Sequence, residues 1–218
     1  MNTFAMAGLI MGAAALAGGI AYWSRQAQKK RREALEQLAV EMRWSFSSEG
    51  DDSLLSSLRG FHLFSKGHSK RLKNLLRGQV RDTSAAVFDY QYTTGGGKNR
   101  HASYHTVLCL TLGGRPLPRF SLRPERVFDK IGDIVGYRDI DFESHPAFSK
   151  KYFLRGDDEM AIRNLFGAGL ISLLEQESGL CMEGEADRIL IYRQRGRLKP
   201  EEIRPFLQIG ERILPLLR

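Results

Sequence analysis

The chain has 218 residues, 42% hydrophobic and 27% charged, which is the usage of an ordinary globular domain and excludes a fibrous or disordered polymer. Two cysteines, Cys109 and Cys181, exclude a disulfide-built scaffold and any zinc ribbon. The net charge is +8, but residues 1–32 hold +5 of it and leave only +3 for everything downstream, so no nucleic-acid partner is expected.

From Phe4 to Trp23 run twenty residues without a charge, rich in Ala, Gly, Leu, Ile and Met. As a helix they rise about 30 Å, the thickness of a bilayer's hydrocarbon core. A helix apolar all round has no polar face for water, so the segment predicts a membrane span. Arg25, Lys29, Lys30, Arg31 and Arg32 follow it, while only the terminal amine precedes it. That asymmetry is the reverse of a cleavable signal and predicts an uncleaved anchor with its C-terminal side in the cytoplasm. Tyr22 and Trp23 suit the interface. Gly8 and Gly12 form a GxxxG, which predicts at most a weak homodimer through the span. The expected organisation is a transmembrane anchor with a basic flank over 1–32 and a single cytoplasmic α+β domain over 33–218.

Residues 33–47 continue the helix, with Leu35, Leu38, Ala39 and Met42 at the spacing of one apolar face, before Trp44 and Phe46 begin to alternate. A short helix follows, N-capped among Asp51, Asp52 and Ser53, with Leu54, Leu55 and Leu58 inward and Gly60 at its end. From Phe61 to about Phe142 the period becomes two, which predicts strands at 61–64, 72–80, 85–94, 104–112, 119–123 and 139–143. In 85–94, Ala86, Phe88, Tyr90 and Tyr92 share one face, and Val87, Asp89 and Gln91 the other, the pattern of a half-buried strand. The last third predicts a strand at 152–154, a helix at 157–177 weakened by Gly167 and Gly169, a hairpin from Leu180 to Arg193, and a final helix opened by Pro200. Pro205 is expected to kink that helix and Pro215 to stop it.

Strands grouped early and helices late predict an α+β class: an N-terminal transmembrane helix followed by an antiparallel sheet or partly open barrel packed with helices, the helices on one side. The blocks FDYQYTTGGGKNRH (88–101), FSLRPE (120–125), DIDFESHPAFSKKYFLRGDDE (139–159) and LIYRQ (190–194) resemble a family of bacterial proteins that have one N-terminal membrane span and one domain of unknown function. The resemblance covers Trp44 to Leu214. It implies a single-pass protein of the bacterial inner membrane and carries no activity, cofactor or site residue.

Few residue patterns offer chemistry. Thr94–Asn99 looks like a phosphate-binding loop, but it lacks the leading glycine, the metal-binding hydroxyl and the following helix, and so reads as a glycine-rich hairpin tip. His101 and His105 fall on one strand face about 13 Å apart, too far to share an ion. Arg155-Gly156-Asp157 reads as a strand-to-helix turn. Asp139, Asp141 and Glu143, with His145 beyond, would line one face of an extended strand and are the low-ranked metal candidates; they support the alternative of a metal-dependent hydrolase. Residues 59–81 contain Arg59, Lys66, Lys70, Arg71, Lys73, Arg77 and Arg81 and no acid, whereas 33–58 hold six acids and one base. Such a stretch near a bilayer can meet anionic headgroups at about 1 kcal/mol per cation. The first six of these cations are the candidate lipid- or partner-binding residues. The favoured function is a membrane-anchored, non-enzymatic binding or scaffolding module, without a cofactor, whose partners are the membrane and a protein.

Overall fold

The computed structural model describes residues 3–114, 116–125, 139–194 and 196–217, with side chains from Gly18 onward except Ile20 and Ala21. Helix α1 runs unbroken from Thr3 to Met42 and is about 60 Å long. It passes the expected junction at residues 32 and 33 without a break. Its last turns bury Leu35, Leu38 and Ala39, the predicted stripe. Among the described residues no helix is long and apolar enough to cross a membrane. The expected span, with its Gly8 and Gly12, falls largely on residues whose side chains lie outside the described set.

Strand β1 (Ser45–Ser47) leads to α2 (Asp52–Ser57), capped by the Asp51 carboxylate, which accepts from the Leu54 N–H at 3.0 Å. Helix α3 (His62–Ser65) stands where a strand was expected. Leu63 and Phe64 are adjacent and both buried, which the period of two forbids and a helical turn permits. Strands β2 (His68–Val80) and β3 (Thr83–Thr94) form a long hairpin, and β4 (His101–Thr111) pairs back across the glycine-rich tip. Next come β5 (Leu117–Pro124), α4 (Pro146–Lys151), β6 (Tyr152–Gly156), α5 (Glu159–Leu165) and α6 (Ala168–Gln176). The break between α5 and α6 falls at the expected glycine. The hairpin of β7 (Leu180–Ala186) and β8 (Arg188–Arg193) precedes α7 (Ile203–Ile213). Pro205 lies in the first turn of α7, where its missing N–H has no intrahelical partner to lose, so the helix continues through it.

The fold is α+β: among the described residues eight strands form one open antiparallel sheet in the order β1-β2-β3-β4-β8-β7-β5-β6. The β7–β8 hairpin is inserted between β4 and β5, so strands distant in sequence become neighbours. One face carries Leu76, Val87, Leu108, Leu110, Leu122, Met182, Ile189 and Ile191 beneath α1, α4, α5, α6 and α7. Gly210 lets α7 lie close to the sheet, since a Cβ there would stand 2.7 Å from the Leu108 side chain. The opposite face is also covered. Phe88, Tyr90, Tyr92, Val107, Cys109, Leu190 and Tyr192 pack with Leu58, Phe61, Leu63 and Phe64 of α2, α3 and their joining turn. Helices on both sides replace the single helical layer read from the sequence, and β8 and the second half of β4 are apolar on both faces because both are buried.

Candidate functional site

Two charged clefts flank the sheet, one on each face. The first, of about 680 Å³, lies between α1 and the β2–β3–β4 end of the sheet. Arg25, Lys29 and Arg32 reach it from α1, Arg71 and Lys73 from β2, and Arg197 from the segment before α7; Glu49 and Asp89 are its acids. Lys29 is shared with Glu33 at 3.8 Å, and both ends of that pair stand in solvent. The Arg197 guanidinium lies 4.8 Å from the centre of the Tyr104 ring. The cleft opens at Ser24, the residue after the exposed Trp23 and Tyr22. It is thus a cationic concavity set where the apolar stretch ends.

Asp89 forms its floor and is only 6% exposed. Arg31 meets it in a bidentate pair, Nε to Oδ2 at 2.8 Å and Nη2 to Oδ1 at 2.7 Å, and donates again to the Leu198 carbonyl at 2.6 Å. The Asn74 amide donates to Oδ2 at 2.9 Å and the Thr106 hydroxyl to Oδ1 at 3.1 Å. Asn74 reaches that oxygen from an irregular stretch of β2 where its own φ is +50°. Arg31 is therefore not a solvated flanking cation: it ties α1 to β3 and to the approach of α7. The other flanking residues, Arg25, Lys29, Lys30 and Arg32, are exposed.

The second cleft, of about 530 Å³, lies on the opposite face, between the α3 region and the β5–β6–β7 end of the sheet. Arg119 and Ser121 of β5, Arg155 of β6 and Glu183 and Glu185 of β7 form its floor; His62 and Lys66 close it from above. Glu183 is 1% exposed. Its oxygens accept from the Leu63 N–H at 3.1 and 3.2 Å and from the Tyr192 hydroxyl at 2.6 Å. Burial pushes its carboxyl up, opposed by the Tyr192 hydroxyl, the Arg123 charge and the Leu63 N–H. Burial pushes the Lys66 amine down, and Arg123 adds to it. Burial, with Arg123, Lys66 and Arg155 adding repulsion, carries His62 down to about 2.

The basic residues expected to act together are dispersed. Arg71 and Lys73 line the first cleft and Lys66 the second. The Lys70 amine donates to the Phe64 carbonyl at 2.5 Å, Arg77 pairs with the capping Asp51 at 2.5 Å, and Arg59 is exposed. The acidic stretch at 139–143 is not a strand: the Ile140 N–H bonds the Leu154 carbonyl at 2.8 Å, and the next contact uses the Asp139 side chain, which accepts from the Leu154 N–H at 2.9 Å. Burial carries Asp139 up to about 6. Among the described residues no group of three His, Cys, Asp or Glu side chains could hold a metal ion, so Asp139, Asp141 and Glu143 do not converge as the hydrolase alternative required. Sequence reasoning missed Asp89, Arg123, Arg155 and Glu183. Asp89, Arg123 and Glu183 stood at alternating positions that read as outward, and only the covering helices make them inward; Arg155 was read as part of a turn.

No family model matches the chain, and no curated protein does. A solved structure does: the mycobacterial trehalose monomycolate transport factor A, TtfA, is 13% identical, with a TM-score of 0.59 over 88% of this chain and 96% of that one. At that identity the likeness establishes a shared fold.

Proposed function

We propose that the chain is a single-pass protein of the bacterial inner membrane whose cytoplasmic domain is a non-enzymatic binding and scaffolding module, holding anionic lipid headgroups in the cleft between α1 and β2. The observation that carries this is position. The cationic cleft begins one residue past Trp23, so a bilayer around the uncharged stretch Phe4–Trp23 puts the cleft against the headgroup layer. Arg25, Lys29, Arg32, Arg71 and Lys73 then face phosphates at about 1 kcal/mol each, screened by salt. The resemblance of the sequence to single-span bacterial proteins supports the anchor. The fold shared with a transport factor supports a role beside a lipid-handling protein partner, with no chemistry required of the domain.

The test uses the full chain in nanodiscs of neutral phosphatidylcholine, with and without phosphatidylglycerol. Amide exchange at residues 24–32 and 71–73 is expected to slow when the anionic lipid is present, less so at high salt, and not at all in the Arg71→Glu, Lys73→Glu variant. Identical exchange in both lipids would sink the headgroup reading. Release of the chain from membranes by carbonate washing would sink the anchor.

A further inference from the structure

The β3–β4 hairpin ends in a tip that lies outside both clefts. Its strands pair in register as far as Thr94 and His101, and a single turn at Gly97–Asn99 joins them, closed by the Asn99 N–H on the Gly96 carbonyl at 3.1 Å. Every residue from Thr94 to His101 is exposed. Lys98, Arg100 and His101 are the ionisable groups there, and residues 90–124 contain no acid. His68, also exposed, stands beside them at the start of β2, opposite Thr93.

Three contacts fix the direction in which α1 runs against these strands. Just past its C-terminal end, the Trp44 ring covers Gly78 of β2, where a Cβ would stand 2.3 Å from it. Further back, Arg31 meets Asp89 of β3 and Thr106 of β4. Further still, Ser24 and Arg25 share the first cleft with Arg71, Gln91 and Tyr104. Going back along α1 is therefore going toward the hairpin tip. Gln91 pairs with Tyr104, and Thr94 with His101 lies three pairs beyond, about 10 Å along the strands. The uncharged stretch ends at Trp23, one residue and about 1.5 Å beyond Ser24. Strands inclined by about 45° to α1 would still carry the tip about 7 Å past that level.

We propose that the β3–β4 tip is a second membrane foot, with Lys98 and Arg100 resting in the anionic headgroup layer beside the span. This rests on the anchor proposed above and adds a contact that the cleft does not make. A turn with exposed backbone and two cations suits the headgroup layer, about 5–8 Å deep on each side, and not the hydrocarbon, where unpaired backbone groups have no partner.

The experiment places a fluorophore on Gly96→Cys of the full chain, in nanodiscs of phosphatidylglycerol and a phosphatidylcholine spin-labelled at its headgroup. Gly96 accepts a side chain, being extended at φ −148° with nothing within 4 Å of an added Cβ, and the two native cysteines are buried. Quenching is expected at 96 and not on Asp82→Cys, in the exposed turn at the other end of β3. Lys98→Gln with Arg100→Gln is expected to restore most of the fluorescence, since each cation is worth about five-fold in the ratio of docked to free tip. A label on Ser24→Cys separates the foot from the anchor. Quenching at 24 without quenching at 96 would overturn the foot and leave the span standing; silence at both would overturn both. Quenching at 96 that the double variant leaves undiminished would also overturn the proposal, because mere nearness needs no cations.

Discussion

His62 titrates far from the usual imidazole range, because its ring is part-buried among three cations. The folded chain leaves it neutral where the unfolded chain binds a proton, so the stability it supports is complete above pH 6.5 and is lost as the pH falls from there. His105 shifts the same way through burial, whereas Asp139 and Glu183, both raised, shift oppositely. Urea unfolding of His62→Gln against the parent isolates the one ring. The variant is expected to lose stability less steeply below pH 6.5, by less than the limiting slope of about 1.4 kcal/mol per pH unit because the ring is partly solvated. Parallel curves would remove the effect. Single residues were the least legible part of the sequence. Asp89 alternates with Phe88 and Tyr90 as a surface residue would, and the guanidinium that buries it lies 58 positions away.

At the scale of elements, the Arg31–Asp89 pair joins α1 to the sheet one turn ahead of the buried Leu35, Leu38 and Ala39. Both side chains are nearly enclosed, so removing Arg31 leaves the Asp89 charge only the longer contact to Arg197 at 3.9 Å. Arg31→Met is expected to cost about 3 kcal/mol of unfolding free energy by chemical denaturation, and Asp89→Asn in the same chain to recover part of it. A loss from Arg31→Met no larger than about 0.5 kcal/mol, the scale of a surface substitution, would show that the pair does not hold the helix. Elements with strong periodicity were legible: the β2–β3 hairpin, the β7–β8 hairpin, the end of α1, and the interruption between α5 and α6. Three short ones were not, and one of them, α4 (Pro146–Lys151), went unpredicted altogether. Residues 61–64 and 139–143 both carry apolar side chains that mimic strand alternation. In the first, two buried neighbours demand a helical turn. In the second, a side-chain carboxylate takes the N–H that a strand would have offered to backbone.

For the whole molecule, the sequence revealed the class and the order of elements but not that the sheet is covered twice. Alternation records whether a position is apolar, and a strand apolar on both faces looks the same whichever cover arrives. The second cover consists of two short helices, α2 and α3, whose apolar residues are too few to reveal a layer on their own. That cover separates the basic stretch 59–81 into two clefts on opposite faces, so one run of charge in sequence serves two places in space.

The continuity of α1 has a mechanical consequence. A helix with no hinge transmits rotation, so under the proposed anchoring the azimuth of the span would dictate which flank of the domain leans toward the lipid, given the tilt of about 20° that spans adopt. Two alanines inserted after Gln26 turn the upstream part by about 200°, and four bring it back to within about 40° of its starting direction. Lipid-dependent protection at residues 71–73 is expected to fall with the two-residue insertion and to return with the four-residue one; equal behaviour of both would mean that a joint, not a shaft, connects bilayer and domain.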